Sequence, residues 1–163
     1  MKTLKHLSAL LLVILTSVAL AACGNENDSK LNGTWKGTGT MEESGVEISV
    51  TTVLDFNSDN HNFDLTLDFN MPELGDYLTV NASGEWAADS DYITLEYDKN
   101  SFTFKFNELM ESLISQADIE NIKKEMIDEM GKNNFVEKSK YGFTGSGDLR
   151  MDVANAKITF KKQ

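Results

Sequence analysis

Alternation of apolar and polar residues is the feature that most constrains the fold of this 163-residue chain. Residues 61–70 run HNFDLTLDFN, in which every second side chain from Phe63 to Phe69 is apolar and those between are polar. Successive side chains of a β-strand point to opposite faces, so the pattern predicts a strand with one buried and one solvated face. Burial on one face only is typical of antiparallel sheets.

The same alternation recurs along much of the chain. Further strands are predicted near residue 35 and over residues 46–56, 78–86, 93–97, 102–106, 149–153 and 157–161. Clusters of Asn, Asp, Ser and Pro separate several of these segments and predict tight turns. The fold class that follows is all-β with a helical insertion, an antiparallel meander of about eight strands that closes into a barrel, since closure removes both open sheet edges. A two-sheet sandwich is the alternative.

Residues 107–131 break the period of two. Their apolar side chains recur at the spacing of an amphipathic helix, with Asp118 as a candidate N-cap and Gly131 as a candidate C-terminal stop. The apolar stripe before residue 115 is out of phase with the later stripe, so we expect a broken helix or two short helices. This helical segment either packs against the barrel or acts as a lid or partner-binding element with an adaptable Met-rich face.

The first 22 residues have the layout of a secretory signal, with Lys2 and Lys5 before an apolar run over residues 7–20. That run is shorter than the about 20 apolar residues of a membrane-spanning helix. Residues 20–23, LAAC, resemble the lipobox of bacterial lipoproteins. The resemblance implies a diacylglyceryl group on the Cys23 thiol, cleavage just before Cys23, and acylation of the new amino terminus, for example with palmitate. An ordinary signal peptide followed by a chance cysteine is the alternative.

The predicted organisation is a signal peptide over residues 1–22, a lipidated flexible tether over residues 23–30 and one barrel domain over residues 31–163. Two or three acyl chains hold a protein lastingly on a membrane. We therefore expect a cell-envelope protein that is anchored by lipid and does not cross the bilayer. Gly24 stands where Asp favours inner-membrane retention in diderm bacteria, so the outer membrane is favoured if the host is diderm.

The chain is strongly acidic, with a formal net charge of −11 that becomes −13 when the two lysines of the signal are removed. Such a surface repels nucleic acid, so we expect no nucleic-acid partner. Cys23 is the only cysteine. Lipidation of its thiol excludes disulfides, thiol catalysis and cysteine metal sites.

No other cluster in the sequence predicts chemistry. His61 is the one histidine after residue 22, and we expect it in a solvated turn. Residues 55–59 have the opening spacing of a calcium loop, but Asn60 and Thr66 stand where that loop needs Gly and a bidentate Glu. We therefore predict that the protein is not an enzyme and has no catalytic residue, metal or cofactor.

Gly33 and Trp35 open the first predicted strand, ahead of the meander. A Gly-x-Trp at this place is similar to that of the lipocalins and of lipocalin-like bacterial envelope lipoproteins. The resemblance implies that Gly33 permits a tight chain entry, that Trp35 closes one barrel end, and that Arg150 covers the Trp35 ring from a late strand. A tryptophan that plugs an unrelated barrel is the alternative. The sequence departs from lipocalins in having two predicted strands after the helix, where that family has one.

The function predicted is non-catalytic binding of a small, partly apolar ligand in the barrel mouth by a membrane-anchored lipoprotein. The candidate lining consists of inward-facing residues on four predicted strands, Val50, Leu67, Val80 and Phe104. An eight-stranded barrel is about narrow enough for its own side chains to fill. The alternative is therefore a structural or interaction module without a pocket, which recognises an envelope protein or a glycan.

Overall fold

A computed structural model describes residues 27–43, 46–153 and 156–163. The predicted signal peptide and Cys23 lie outside the described residues. The elements in chain order are α1 (Asp28–Leu31), β1 (Gly33–Glu43), β2 (Val46–Asn57), β3 (Asn62–Met71), β4 (Gly75–Ala88), β5 (Tyr92–Tyr97), β6 (Thr103–Phe106), α2 (Glu108–Leu113), α3 (Gln116–Gly131), β7 (Val136–Phe143), β8 (Leu149–Val153) and β9 (Ala156–Lys162). None of the helices in the described part of the chain is both long enough and apolar enough to cross a bilayer.

Within the described ranges, nine antiparallel strands form one sheet that closes into a barrel. Its neighbours run in the order β3-β2-β1-β9-β8-β7-β5-β4-β6, and a pairing of β3 with β4 closes the ring. Strand β5 pairs with residues 84–88 of β4, and β6 pairs with residues 78–81 of the same strand. Because β3 occupies the other edge of β4, β5 and β6 together fill one place in an eight-strand barrel. The predicted all-β barrel with a helical insertion is confirmed.

The core lies on the inner face of the barrel because the strands alternate as the sequence predicts. On β2 and β3, every second residue from Ile48 to Phe56 and from Phe63 to Phe69 is buried. Burying a side chain of this size stabilises the fold by about 1.5–3 kcal/mol. A one-residue slip of either strand would turn the whole apolar set to solvent, which fixes the register.

One end of the barrel, which we call the α1 end, is covered by the first helix. Leu31 is fully buried there, and the indole Nε1–H of Trp35 donates a 2.6 Å hydrogen bond to the Leu31 carbonyl. The β2–β3, β4–β5 and β7–β8 connections lie at the same end. Residues 28–30, assigned to the flexible tether from sequence, are part of this helix.

The opposite end, which we call the helical end, carries α2 and α3. The predicted break is confirmed, because α2 ends at Leu113 and α3 begins at Gln116. The predicted N-cap was wrong: the Ser115 hydroxyl caps α3 by accepting from the Asp118 N–H, which lies within the first turn. Helix α3 ends at Gly131, as expected, and buries one stripe of apolar side chains, Ile119, Ile122, Met126 and Met130.

Strand β7 is an element that the sequence pattern does not predict. It follows α3 and pairs with both β5 and β8, so three strands follow the helices where two were predicted. Its buried residues are Glu137, Ser139 and Tyr141. The strand alternates, but two of its three inward positions are polar, so it lacks the apolar period that marks the other strands.

Candidate functional site

The hydrogen-bonded wall of the barrel is interrupted between β6 and β7. Strand β7 pairs with β5, and no pairing among the described strands joins it to β6. Helix α3 lies beside β6 at this place, and the two elements border a groove of about 510 Å³. We call it the β6–α3 groove. Its lining combines apolar side chains with charged ones: Phe102, Thr103, Phe104, Glu120, Lys123, Lys124, Ile127 and Asp128.

The structure brings the four predicted lining residues together. Leu67 lies opposite Val80 across β3 and β4, and Val80 lies opposite Phe104 across β4 and β6. Val50 lies opposite Phe69, one inward position along β3 from Leu67. Val50, Leu67 and Val80 are buried, whereas Phe104 is half-buried and also lines the groove. An apolar row therefore runs from the barrel interior to the β6–α3 groove.

A carboxyl group lies inside the barrel. Glu137 faces inward from β7, opposite Leu95 of β5, and is only 4% exposed. Its Oε2 accepts a 2.9 Å hydrogen bond from the Tyr97 hydroxyl, and its Oε1 accepts a 3.0 Å hydrogen bond from the Ser139 hydroxyl. Both partners are also buried. We call Glu137, Tyr97 and Ser139 the polar trio.

The trio holds an acid without a counter-ion. The ion pairs found in the described residues involve other carboxylates, and none joins a Lys, Arg or His to Glu137. Burial raises the pKa of Glu137 from 4.5 to about 7, although both hydrogen bonds favour the carboxylate. Burial, and then the neighbouring Glu137, raise the pKa of Tyr97 well above its usual value. A buried carboxyl without a counter-ion is costly, so the group needs an explanation beyond packing.

Aromatic rings connect the trio to the groove. The Tyr97 ring packs edge-on against Phe63 at 5.2 Å and contacts Phe102 at 5.7 Å between ring centroids. Phe102 also lines the groove and lies 6.1 Å from the Phe135 ring. Phe102 is therefore the side chain that contacts the groove on one side and the trio on the other.

The segment that leads into β7 is strained. Asn134 and Phe135 have φ angles of 55° and 59°, in the left-handed region that L-residues other than Asn and Asp seldom adopt. Such a conformation costs on the order of 1–3 kcal/mol and persists only where surrounding contacts hold it. The Phe135 carbonyl accepts a 2.8 Å hydrogen bond from the Tyr97 N–H, which holds it in place. The strain lies two residues before Glu137.

A second polar atom is buried at the helical end. Tyr77 is the extra residue of a β-bulge in β4, where the pairing with β3 shifts between Phe69 and Asn70. Its side chain is fully buried, and its hydroxyl has no hydrogen-bond partner in the described residues. Burial raises the pKa of Tyr77 to about 12.

The residues predicted to close the barrel lie towards the α1 end, but Arg150 does not cover the Trp35 ring. Gly33 has φ +107°, which a side chain would strain, and it leads directly to the buried Trp35. Arg150 faces outward on β8 and is exposed, because Leu149 and Met151 occupy the inward positions. The cationic group over the Trp35 indole is Lys162 Nζ, 5.2 Å from the ring centroid.

The outer face carries an acidic groove of about 680 Å³ near the α1 end. Its acidic lining residues are Asp55, Asp59, Asp64, Glu85 and Asp98. In the part of the chain described, no group of three or more His, Cys, Asp or Glu is arranged to hold a metal ion. The Asn57 side chain instead accepts hydrogen bonds from the Asp59 and Asn60 N–H groups, which explains these residues as a hairpin turn.

The polar trio was not predicted from the sequence. Tyr97 was assigned to a strand without a role, and Glu137 and Ser139 were assigned to no element. The available signal was the alternation in VEKSKYGF, where Glu137, Ser139 and Tyr141 are separated by Lys138 and Lys140. Because this alternation places polar residues on both faces, the strand lacks the alternating apolar residues that predict the other strands.

The chain matches no protein-family model, and no curated protein matches its sequence. The resemblances of residues 20–23 and of the Gly-x-Trp motif therefore stay predictions. The description of the barrel, its inserted helices and the site depends on the structure alone.

Proposed function

We propose that this protein is a lipid-anchored barrel of the cell envelope that binds a small, partly apolar molecule without altering it. The observation that carries the proposal is the apolar row of Leu67, Val80 and Phe104, which leads from the interior to the β6–α3 groove. The groove volume of about 510 Å³ falls within the about 300–1,000 Å³ that is usual for small-molecule sites.

The composition of the groove supports an amphipathic ligand. Phe102, Phe104 and Ile127 supply apolar surface, and charged residues stand beside them. Small-molecule sites combine mostly apolar walls with a few polar groups that fix orientation. The methionines that α3 buries make its inner face adaptable, since the unbranched thioether fits irregular shapes.

The proposed anchor fits the position of the α1 end. The first described residue, Asn27, is four residues after Cys23. An extended chain spans at most about 3.6 Å per residue, so a lipid on Cys23 would hold the α1 end within roughly 15 Å of the bilayer surface. The helical end would then face away from the membrane, towards dissolved ligands.

The binding proposal is tested with a neutral apolar fluorophore, N-phenyl-1-naphthylamine, and residues 23–163 carrying Cys23→Ser. This form lacks both the apolar signal run and the lipid, so it needs no detergent. We expect saturable binding of one probe per chain. Phe104→Gln should weaken it about tenfold, the loss expected when a well-buried apolar contact is replaced by a polar one.

Lys105→Gln is the matched control, because Lys105 is the exposed, outward-facing neighbour of Phe104 on β6. Lys105→Gln should leave the affinity for the fluorophore unchanged. Absence of saturable uptake, or equal losses in the two variants, would overturn the binding proposal.

A second candidate function, recognition of an envelope protein, is favoured by the exposed face of α2. Leu109 and Leu113 lie one turn apart and are 45% and 64% exposed. If this function holds in place of the first, Leu109→Gln and Leu113→Gln abolish association with a partner, and apolar probes do not bind the barrel.

A further inference from the structure

We propose that the polar trio recognises an ammonium group, so that the ligand of this barrel is a primary amine with an apolar tail. The inference rests on the proposed binding function and specifies its ligand class. It is carried by the hydrogen-bond geometry of Glu137, the absence of a counter-ion among the described residues, and the aromatic connection to the β6–α3 groove.

The trio has unused hydrogen-bonding capacity. Each carboxylate oxygen of Glu137 accepts one hydrogen bond from a neutral hydroxyl. A carboxylate has about four acceptor sites, so each oxygen retains one for a further donor. The Tyr97 and Ser139 hydroxyl groups donate to the carboxylate, and their oxygens also retain acceptor lone pairs. The trio therefore offers several acceptors around one point, and an ammonium group presents three donors.

Glu137 is the member of the trio that can carry a charge near neutral pH, and none of the described ion pairs compensates it. A bound ammonium group supplies the missing counter-ion and forms charge-assisted hydrogen bonds, about twice as strong as neutral ones. The net charge of the chain, −11, also attracts cations and repels anions over longer distances.

A ligand would approach the trio past Phe102. Phe102 borders the β6–α3 groove and contacts the rings of both Tyr97 and Phe135. No trio residue lines either groove, so an ammonium group would reach the trio by displacing the Phe102 ring. Phe135 is also the residue held in the left-handed conformation, so its present position is sustained by its contacts. An ammonium group passes favourably along such aromatic faces, and its apolar tail then lies along the row of Val80 and Phe104.

The charged side chains at the groove rim do not repel a cation overall. Lys123 is paired with Glu120 at 2.8 Å, and the other charged lining residues, Lys124 and Asp128, have opposite signs. The net charge of the rim is therefore zero. The uncompensated charge along the path lies at its inner end, on Glu137.

The test compares three probes of equal length, dodecylamine, dodecanol and dodecanoate, by titration calorimetry at pH 7.5. Residues 23–163 with Cys23→Ser are used, and every probe is kept below its critical micelle concentration. We expect dodecylamine to bind about tenfold or more tightly than dodecanol, and dodecanoate to bind most weakly. Glu137→Gln should reduce the dodecylamine affinity to the dodecanol level and leave the dodecanol affinity within about twofold.

Glu85→Gln is the control for non-specific attraction to an acidic protein. Glu85 is exposed and lines the acidic groove on the outer face. The Glu85→Gln variant should still bind dodecylamine more tightly than dodecanol. Loss of the preference in this variant would overturn recognition by the trio.

The outcomes separate the two proposals. Equal affinities for the three probes, or a preference for dodecanoate, overturn recognition of an ammonium group and leave the binding function standing. Failure of all three to bind overturns both. If Glu137→Gln does not fold, Tyr97→Phe serves in its place: it should weaken dodecylamine about threefold and leave dodecanol unchanged, and an equal loss for all three probes overturns the inference.

Discussion

The Tyr97 hydroxyl donates a 2.9 Å hydrogen bond to Oε2 of Glu137 inside the barrel, between residues 40 positions apart in the chain. The bond joins β5 to β7, the strands that lie before and after the helical insertion. Ser139 satisfies the other carboxylate oxygen, so the acid is held in one orientation. An ionisable carboxyl group is thereby fixed in an interior that is otherwise mostly apolar.

The stability of the protein should depend on pH through Glu137. Burial raises its pKa from 4.5 to about 7, so the folded state binds this proton more tightly than the unfolded state. The stabilising contribution is complete below pH 4.5 and is lost as the pH rises through about 7. Between pH 5 and pH 8 the loss is roughly 2.5 kcal/mol.

Glu137→Gln removes this titration and keeps a similar shape. Urea unfolding of both proteins at pH 5 and pH 8 measures the effect. The native chain should lose about 2.5 kcal/mol relative to the variant between the two pH values. A stability difference that does not change with pH would show that the carboxyl titrates normally.

Two buried tyrosines should respond oppositely to loss of the hydroxyl. The Tyr77 hydroxyl has no hydrogen-bond partner in the described part of the chain, so Tyr77→Phe should stabilise the protein by about 1 kcal/mol. The Tyr97 hydroxyl bonds to Glu137, so Tyr97→Phe should destabilise it by about 1–3 kcal/mol. Chemical denaturation at pH 7.5 compares the two, and destabilisation by Tyr77→Phe would reveal a partner for that hydroxyl.

Gly84 should tolerate no side chain. A Cβ at this position would lie 2.0 Å from the Glu96 carbonyl oxygen on the paired strand, which is backbone and cannot turn away. Gly84→Ala should therefore destabilise the protein by about 3 kcal/mol or more. Gly142→Ala is the matched control, because a Cβ there meets nothing within 4 Å. Equal thermal stability of the two variants would contradict the β4–β5 register.

Cys23 should carry the lipid. Cells grown with a labelled palmitate analogue should incorporate the label into the chain, and the protein should sediment with membranes. Cys23→Ser should abolish the labelling, because the thiol that receives the lipid is then absent. Labelling that persists in this variant would contradict the lipoprotein prediction.

Much of the barrel could be predicted from sequence because burial on one face leaves a period of two. Strands β2 and β3 show this directly, since every second residue from Ile48 to Phe56 and from Phe63 to Phe69 is buried and all of these but Thr52 are apolar. The two-helix insertion was also visible, because its two apolar stripes are out of phase. Strand β7 escaped detection because Glu137 and Ser139 occupy inward positions that apolar residues fill elsewhere.

The site was predictable only in part. Val50, Leu67, Val80 and Phe104 were found as inward residues, but strand pairing decides that three of them form a row into the groove. The polar trio depends on pairing between β5 and β7 across the helical insertion, which no local pattern encodes. The cation over Trp35 differs from the predicted Arg150 because residue 150 falls on the outward phase of β8.

Native mass spectrometry of residues 23–163 with Cys23→Ser tests ligand binding most directly. The purified protein is mixed with dodecanol or dodecylamine, and the mass of the intact complex is recorded. Binding in the barrel predicts one probe per chain with either molecule, and a weaker complex when Phe104→Gln is present. A spectrum that shows only the free chain at every probe concentration, with the protein folded, would contradict the proposal that this barrel binds small molecules.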